Sequence, residues 1–253
     1  MTQTSISQFF SPVTAEEART ANLESRGHIA NISLSDSLSN PELHPVIGTK
    51  SRGNLKIFQL NTAKKSESGS ALSHLMGDCR HSLAFITEPP FFKGKVCGFS
   101  SANFNILHHS GNNKRCRAAI IASKGVELCP LAAYTDEDTV SAVMFINGRK
   151  TCVVSTHMDR VRDVPGMLHQ VCHFAALNDY GLLVCTDSNA HNPLWGSPDL
   201  NQRGRLVEED LIYRYGLQLL NVGNVPTSIF YLPTLSFTLC FDVKLSANKV
   251  ICF

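Results

Sequence analysis

The stretch GLLVCTDSNAHNPLWGS, residues 181–197, decides the fold class. Its opening, GLLVCTDSN (181–189), is a continuous apolar run that stops at Asp187 and Asn189. A short run of this kind, ended by polar turn residues, predicts a strand covered on both faces. Upstream, LKIFQLN (55–61), SLAFITE (82–88), RAAIIAS (117–123), TVSAVMFI (139–146) and TCVVSTH (151–157) repeat the pattern. Helical spacing falls between them. Leu72, Leu75, Met76 and Cys79 mark one helix. Met167, Leu168, Val171, Cys172, Ala175 and Ala176 form a stripe after Pro165, a good first-turn residue. Leu206, Val207, Leu211 and Tyr215 mark a third helix, closing near Gly216. Strands alternating with helices give an α/β domain.

The chain has 253 residues, 43% of them hydrophobic, enough for one sizeable domain. A net charge of +2 excludes a strongly basic wrapper of nucleic acid but leaves room for a local basic patch. No stretch approaches the roughly 20 apolar residues of a membrane span. The N-terminus lacks a charged segment followed by an apolar run, so secretion is not expected. Nine cysteines, none in C-x-x-C spacing and several inside apolar runs, read as reduced, buried thiols of a nuclear or cytosolic protein rather than a zinc site. Residues 1–53 differ from the rest: serines alternate from Ser33 to Ser39, prolines punctuate them, and Phe9 and Phe10 are the only aromatics. They read as a flexible polar arm before a domain at 54–253.

Four apolar runs end in Asn61, Glu88, His157 and the pair Asp187/Asn189. Sheets set such ends along one rim, where distant residues can meet in a cleft. Two carboxylates and an amide suit a hard, oxygen-loving ion such as Mg²⁺, with Mn²⁺ able to substitute. A histidine nearby can contact or protonate a phosphate oxygen. Together they describe metal-assisted phosphodiester cleavage.

These residues sit within a wider set of motifs: QLN (59–61), TEPP (87–90), CRAAI (116–120), VVSTHMD (153–159), TDSNAHNPLWGS (186–197), RG followed by LVEE (203–209) and LQLLNVGNVPT (217–227). In this order the chain resembles the endonuclease/exonuclease/phosphatase superfamily, which includes deoxyribonuclease I, and within it the endonuclease domain of non-long-terminal-repeat retrotransposons. The resemblance implies a four-layer sandwich of two packed mixed β-sheets flanked by helices. It implies a nuclease that nicks chromosomal DNA to prime reverse transcription. It makes Glu88 the main metal ligand with Asn61 beside it, and gives Asp187 and Asn189 the attacking water and the scissile phosphate. His157 stands where many relatives carry Tyr. Asp242, in FDVKLS, resembles a late-strand Asp that holds a final catalytic His. The closing S-D-H motif of the family is not reached before Phe253, so the expectation is a sandwich incomplete at its C-terminus. Nicking would then be impaired, since such an Asp-His pair contributes roughly 10²–10⁴ in rate.

A second motif lies in the arm. QTSISQFF (3–10) spaces Gln3, Ile6, Phe9 and Phe10 as in the box by which proteins bind the proliferating cell nuclear antigen sliding clamp. One helical turn would put Ile6, Phe9 and Phe10 on one side as a plug for an apolar pocket.

Taken singly, Asn61, Glu88 and the Asp187–Asn189 pair read as turn residues or strand terminators; their joint order favours a site. The basic run with Lys114, Arg115 and Arg117 reads equally as a solvated loop or as a contact to DNA phosphates. His191 and Trp195 are candidate DNA contacts, although a loop-structuring role for His191 and a packing role for Trp195 are favoured. Two rival functions remain open. One is a phosphatase of the same fold acting on inositol phosphates or lipid headgroups, suggested by T-H-M-D (156–159). The other is an inactive remnant that binds DNA or the clamp.

Overall fold

The apolar runs become strands with nearly the predicted ends. The computed structural model describes residues 55–109, 116–146, 148–159, 164–220, 239–242 and 249–252. The arm, with its clamp-box residues Gln3, Ile6, Phe9 and Phe10, and also Arg115, lie outside the described residues. In chain order, β1 (Lys56–Asn61) leads to helix α1 (Ser66–Gly77) and β2 (Ser82–Thr87). A hairpin of β3 (Phe91–Phe92) and β4 (Lys95–Val96) precedes β5 (Phe104–His108) and β6 (Ala118–Ser123). Next come β7 (Cys129–Pro130), β8 (Thr139–Ile146) and β9 (Arg149–His157). Helix α2 (Gly166–Leu177), β10 (Gly181–Asp187) and helix α3 (Gln202–Val207) follow, and α3 runs into a π-helical turn at Glu208–Tyr213. The last strands are β11 (Gln218–Leu219), β12 (Leu239–Asp242) and β13 (Lys249–Cys252).

Among the described residues one sheet has the order β12-β1-β2-β6-β5 and a second β11-β13-β10-β9-β8-β7. Both are mixed. β1 and β2 are parallel while β2 and β6 are antiparallel, and β9 and β10 are parallel while β8 and β9 are antiparallel.

The period of two along each strand sorts side chains into three apolar layers. Leu83 and Phe85 of β2 and Ile120 of β6 pack with Val153 of β9 and Leu183 of β10, which makes the core between the sheets. Ala84, Ile86 and Ile121 point the other way and pack with Leu72 and Met76 of α1. Val154, Leu182 and Val184 face outward from the second sheet onto Leu168, Val171 and Cys172 of α2 and Val207 of α3. The result is helix, sheet, sheet, helix: four layers. Both faces of both sheets are covered, which is why the strands read as continuous apolar runs rather than as alternating ones.

Helix details differ from the sequence expectation. On α1, Leu72 and Met76 are buried but Leu75 is 49% exposed, and Cys79 falls beyond the helix end. On α2 the buried stripe is Leu168, Val171, Cys172 and Ala175, and Pro165 caps the helix in extended conformation instead of entering its first turn. Burying Leu168 and Val171 contributes about 2 kcal/mol each. Among the described residues, no helix is long and apolar enough to cross a membrane.

Candidate active site at the strand-end rim

Two parallel pairs, one in each sheet, finish at the same edge of the sandwich. In the first sheet Asn61 lies opposite Thr87, the residue before Glu88. In the second, His157 lies opposite Asp187. Three hydrogen bonds then tie one sheet to the other near this edge. Gln59 Nε2 donates to the Thr186 carbonyl (2.8 Å), Ser155 Oγ to the Ile86 carbonyl (3.1 Å), and Asn61 Nδ2 to Asp187 Oδ2 (2.5 Å). The apolar interior ends here, and the first polar side chains after each strand meet across the gap.

Glu88 is the most constrained of them. Its φ is +47°, a left-handed conformation that costs a side-chain-bearing residue about 1–3 kcal/mol. Its backbone is held on both sides. The carbonyl accepts from Thr62 Oγ1 (2.6 Å) and the Lys64 amide (2.8 Å), and the amide donates to the Arg117 carbonyl (2.8 Å). The carboxylate Oε1 lies 3.5 Å from His157 Nε2. His157 is buried, its amide donates to the Asp138 carbonyl (2.8 Å), and its Nδ1 has no hydrogen-bond partner among the described residues. Asn189 also has positive φ (+51°), which Asn tolerates better than most residues. Its Nδ2 donates to the Met158 carbonyl (3.0 Å), next to His157, and the Met158 amide donates to the Asp187 carbonyl (2.9 Å). Contacts therefore link Glu88 to His157, His157 to Asp187 by register, and Asp187 to Asn61, with Asn189 bound beside them.

The remaining candidates lie elsewhere. Asp242 is not brought to this rim. Its register partner is Lys56, at the opposite end of β1 from Asn61, so its backbone is displaced by five residues of strand, roughly 17 Å. The expectation that Asp242 joins the catalytic group is corrected by that antiparallel pairing. Arg117 is committed to protein carboxylates. Its Nη1 bonds Asp159 Oδ2 (2.9 Å), its Nη2 bonds Asp138 Oδ2 (2.7 Å), its Nε contacts Asp138 Oδ1, and Glu137 is 3.7 Å away. Burial pushes the Asp138 carboxyl above its usual range, and the Arg117 guanidinium offsets part of that rise. His191 Nδ1 pairs with Asp199 Oδ1 (2.9 Å), and the indole of Trp195 donates to the Ala190 carbonyl (3.0 Å) while packing against the α2–α3 layer. Both brace the loop after β10.

Sequence reasoning missed Gln59 and Thr62, which fasten the rim, and Arg203. The last is buried, with Nη2 bonded to the Asp159 carbonyl. The RG motif was visible, but its partner is 44 residues away.

The donor chemistry fits a divalent cation of the Mg²⁺ kind. Glu88, Asp187 and the Asn61 amide oxygen are hard donors, and Asn61 Oδ1 keeps a lone pair after accepting from the Ala63 amide (2.8 Å). Among the described residues no group of three or more His, Cys, Asp or Glu side chains forms a protein cage for a metal. Mg²⁺ does not need one, because it binds through one or two carboxylates and keeps its other positions for water and phosphate.

No protein-family model matches the sequence, and no curated protein matches it. Solved structures do. The chain is similar to the endonuclease domain of TRAS1, a telomere-specific non-LTR retrotransposon, with a TM-score of 0.59 at 19% identity over 75% of this chain and 85% of that one. It is similar at greater distance to an endonuclease/exonuclease/phosphatase family protein from Leptotrichia buccalis (TM-score 0.44, 13% identity, 78% and 90% of the two chains). An AP endonuclease from Leishmania major gives a TM-score of 0.42 at 13% identity over 60% and 61% of the two chains. The first likeness identifies the fold: a deoxyribonuclease I-like four-layer sandwich.

Proposed function

We propose that this chain is a Mg²⁺-dependent DNA endonuclease domain of a retrotransposon, which nicks one strand and leaves a 3′-hydroxyl to prime reverse transcription. The observation that carries this reading is the meeting of Glu88 and His157, from different sheets, beside the bonded pair Asn61 and Asp187. Glu88 and Asn61 would hold the ion, which supplies charge neutralisation at the scissile phosphate. Asp187 accepts a proton from the attacking water, with Asn61 fixing the orientation of its carboxylate. Asn189 and His157 hydrogen-bond the non-bridging phosphate oxygens. The new bond joins the water oxygen to phosphorus, the bond to O3′ breaks, and O3′ leaves as the hydroxyl after taking a proton from solvent.

Plasmid nicking tests it. Supercoiled DNA should relax in Mg²⁺ or Mn²⁺ and not in chelator, and Glu88→Gln and Asp187→Asn should each lower the rate by about 10²-fold or more. Nicking that survives Glu88→Gln unchanged would sink the assignment. Inositol polyphosphate offered in the same assay separates the nuclease from a phosphatase of this fold.

A second reading, a DNA-binding protein that does not cut, is favoured by the distance of Asp242 from the rim. In that case Glu88→Ala would leave DNA binding intact and there would be no nicking to lose. For residues 1–53 the proposal is an arm that reaches the sliding clamp in the nucleus through Ile6, Phe9 and Phe10. Capture by the clamp should be lost with Phe9→Ala and Phe10→Ala together.

A further inference from the structure

The β3–β4 hairpin begins three residues after Glu88 and is closed at its base by the Cys97 amide, which donates to the Pro90 carbonyl (2.7 Å). Lys93 (φ +47°) and Gly94 (φ +77°) form its turn. Positive φ at both central residues marks the type I′ turn, a two-residue connection whose twist matches that of the flanking strands. Phe91 pairs with Val96 and Phe92 with Lys95. Cross-strand partners share a face. Phe91 and Val96 face inward, Phe91 meeting His108 edge-on at 5.6 Å. Phe92 and Lys95 therefore face out. Phe92 is 65% exposed, and Lys93 Nζ lies 5.2 Å from its ring centroid.

A single exposed phenylalanine is ordinary. Here it is combined with a two-residue turn, two lysines, and closeness to the rim. Four residues of chain allow the Cα atoms of Phe92 and Glu88 to be at most about 14 Å apart, a few nucleotides along a strand. Lys64, which is exposed and whose amide bonds the Glu88 carbonyl, adds a third cation on this side. A surface that offers an aromatic face and positive charge together suits a ligand with π faces and a regular array of phosphates.

We propose that the β3–β4 hairpin is a DNA-contacting finger: Phe92 stacks on a base or deoxyribose of DNA lying across the rim, and Lys93 and Lys95 hold neighbouring phosphates. This rests on the nuclease reading and names a contact that would hold its substrate. The finger fixes where DNA lies relative to Glu88; it takes no part in bond cleavage.

The test is anisotropy of fluorescein-labelled duplex titrated with the full chain in chelator, so that no cutting intervenes, over a series of salt concentrations. Phe92→Ala should weaken binding about 5- to 150-fold without changing the salt slope, and Phe92→Trp should restore it. Lys93→Ala with Lys95→Ala should lower the slope of log affinity against log salt by about 2. All three should keep the thermal midpoint of the parent, since the altered side chains are exposed. Affinity and slope equal to the parent in both variants would overturn the finger. So would displacement of the duplex by polyglutamate as readily as by unlabelled DNA, because charge alone would then explain the patch. Plasmid nicking separates the two ideas. Glu88-dependent nicking with unchanged binding by the finger variants removes the finger alone, and finger-dependent binding without nicking removes the nuclease alone. A parent chain that binds no duplex removes both.

Discussion

A side chain at position 204 has no room. A Cβ there would lie 1.9 Å from the His191 carbonyl oxygen, and the Gly204 amide already donates to Asn201 Oδ1 (2.7 Å). Gly204→Ala should therefore push the start of α3 away from the loop after β10 and cost about 1–3 kcal/mol, read as a lower urea midpoint; an unchanged midpoint would contradict so close an approach. This is the physical content of the RG motif: the glycine lets α3 touch the loop, and Arg203 reaches Asp159 beyond it. Single residues were legible where they ended an apolar run, as Asn61, Glu88, His157 and Asp187 do. Asp242 was not, because the long stretch 228–246 contains nothing that fixes register, and in an antiparallel pair the end of the later strand lies at the beginning of the earlier one.

Arg117 works between elements. It stands just before β6, binds Asp138 just before β8 and Asp159 just past the end of β9, and its carbonyl receives the Glu88 amide. It thus ties the two sheets together directly behind Glu88 and His157. Arg117→Met should cost about 1–3 kcal/mol, since removing one partner leaves the half-buried Asp138 carboxylate without its counter-charge; a urea titration reads this. The sign with pH follows from Asp138. Its carboxyl sits above the ordinary value near 4, so the native state holds that proton more tightly than the unfolded chain does. Stability from this group is lost as pH rises from there through the raised value, and the deficit of Arg117→Met should shrink on acidification. A deficit that grows in acid would mean Asp138 is not the group exposed by the change. Long strands were legible because two covered faces leave an unbroken apolar signature. The Arg117 ion-pair network was not, since its acidic partners are 21 and 42 residues away. Two-residue strands such as β3, β4 and β11 are too short to show any period.

Across the whole molecule, buried thiols sample each apolar layer. Cys116 lies in the layer under α1, Cys185 between the sheets, and Cys152 under α2. Burial pushes Cys116 and Cys152 up to about 12 and Cys185 well above its usual value. Iodoacetamide, which needs the thiolate, should leave all three unmodified in the native protein and modify them together through a urea transition followed by mass spectrometry. Modification of one well before the others would show that the layers part separately instead of in one cooperative step. The composition announced buried thiols; which layer each occupies depends on strand register, which composition does not carry.

The contact between Glu88 and His157 bridges two sheets whose separation is set by side chains such as Phe85, Ile120 and Leu183. Core volume and chemistry are therefore geared together. Swapping a filler residue for a bulkier one, deep in the core, would alter the gauge of the cleft without touching a single group at its mouth.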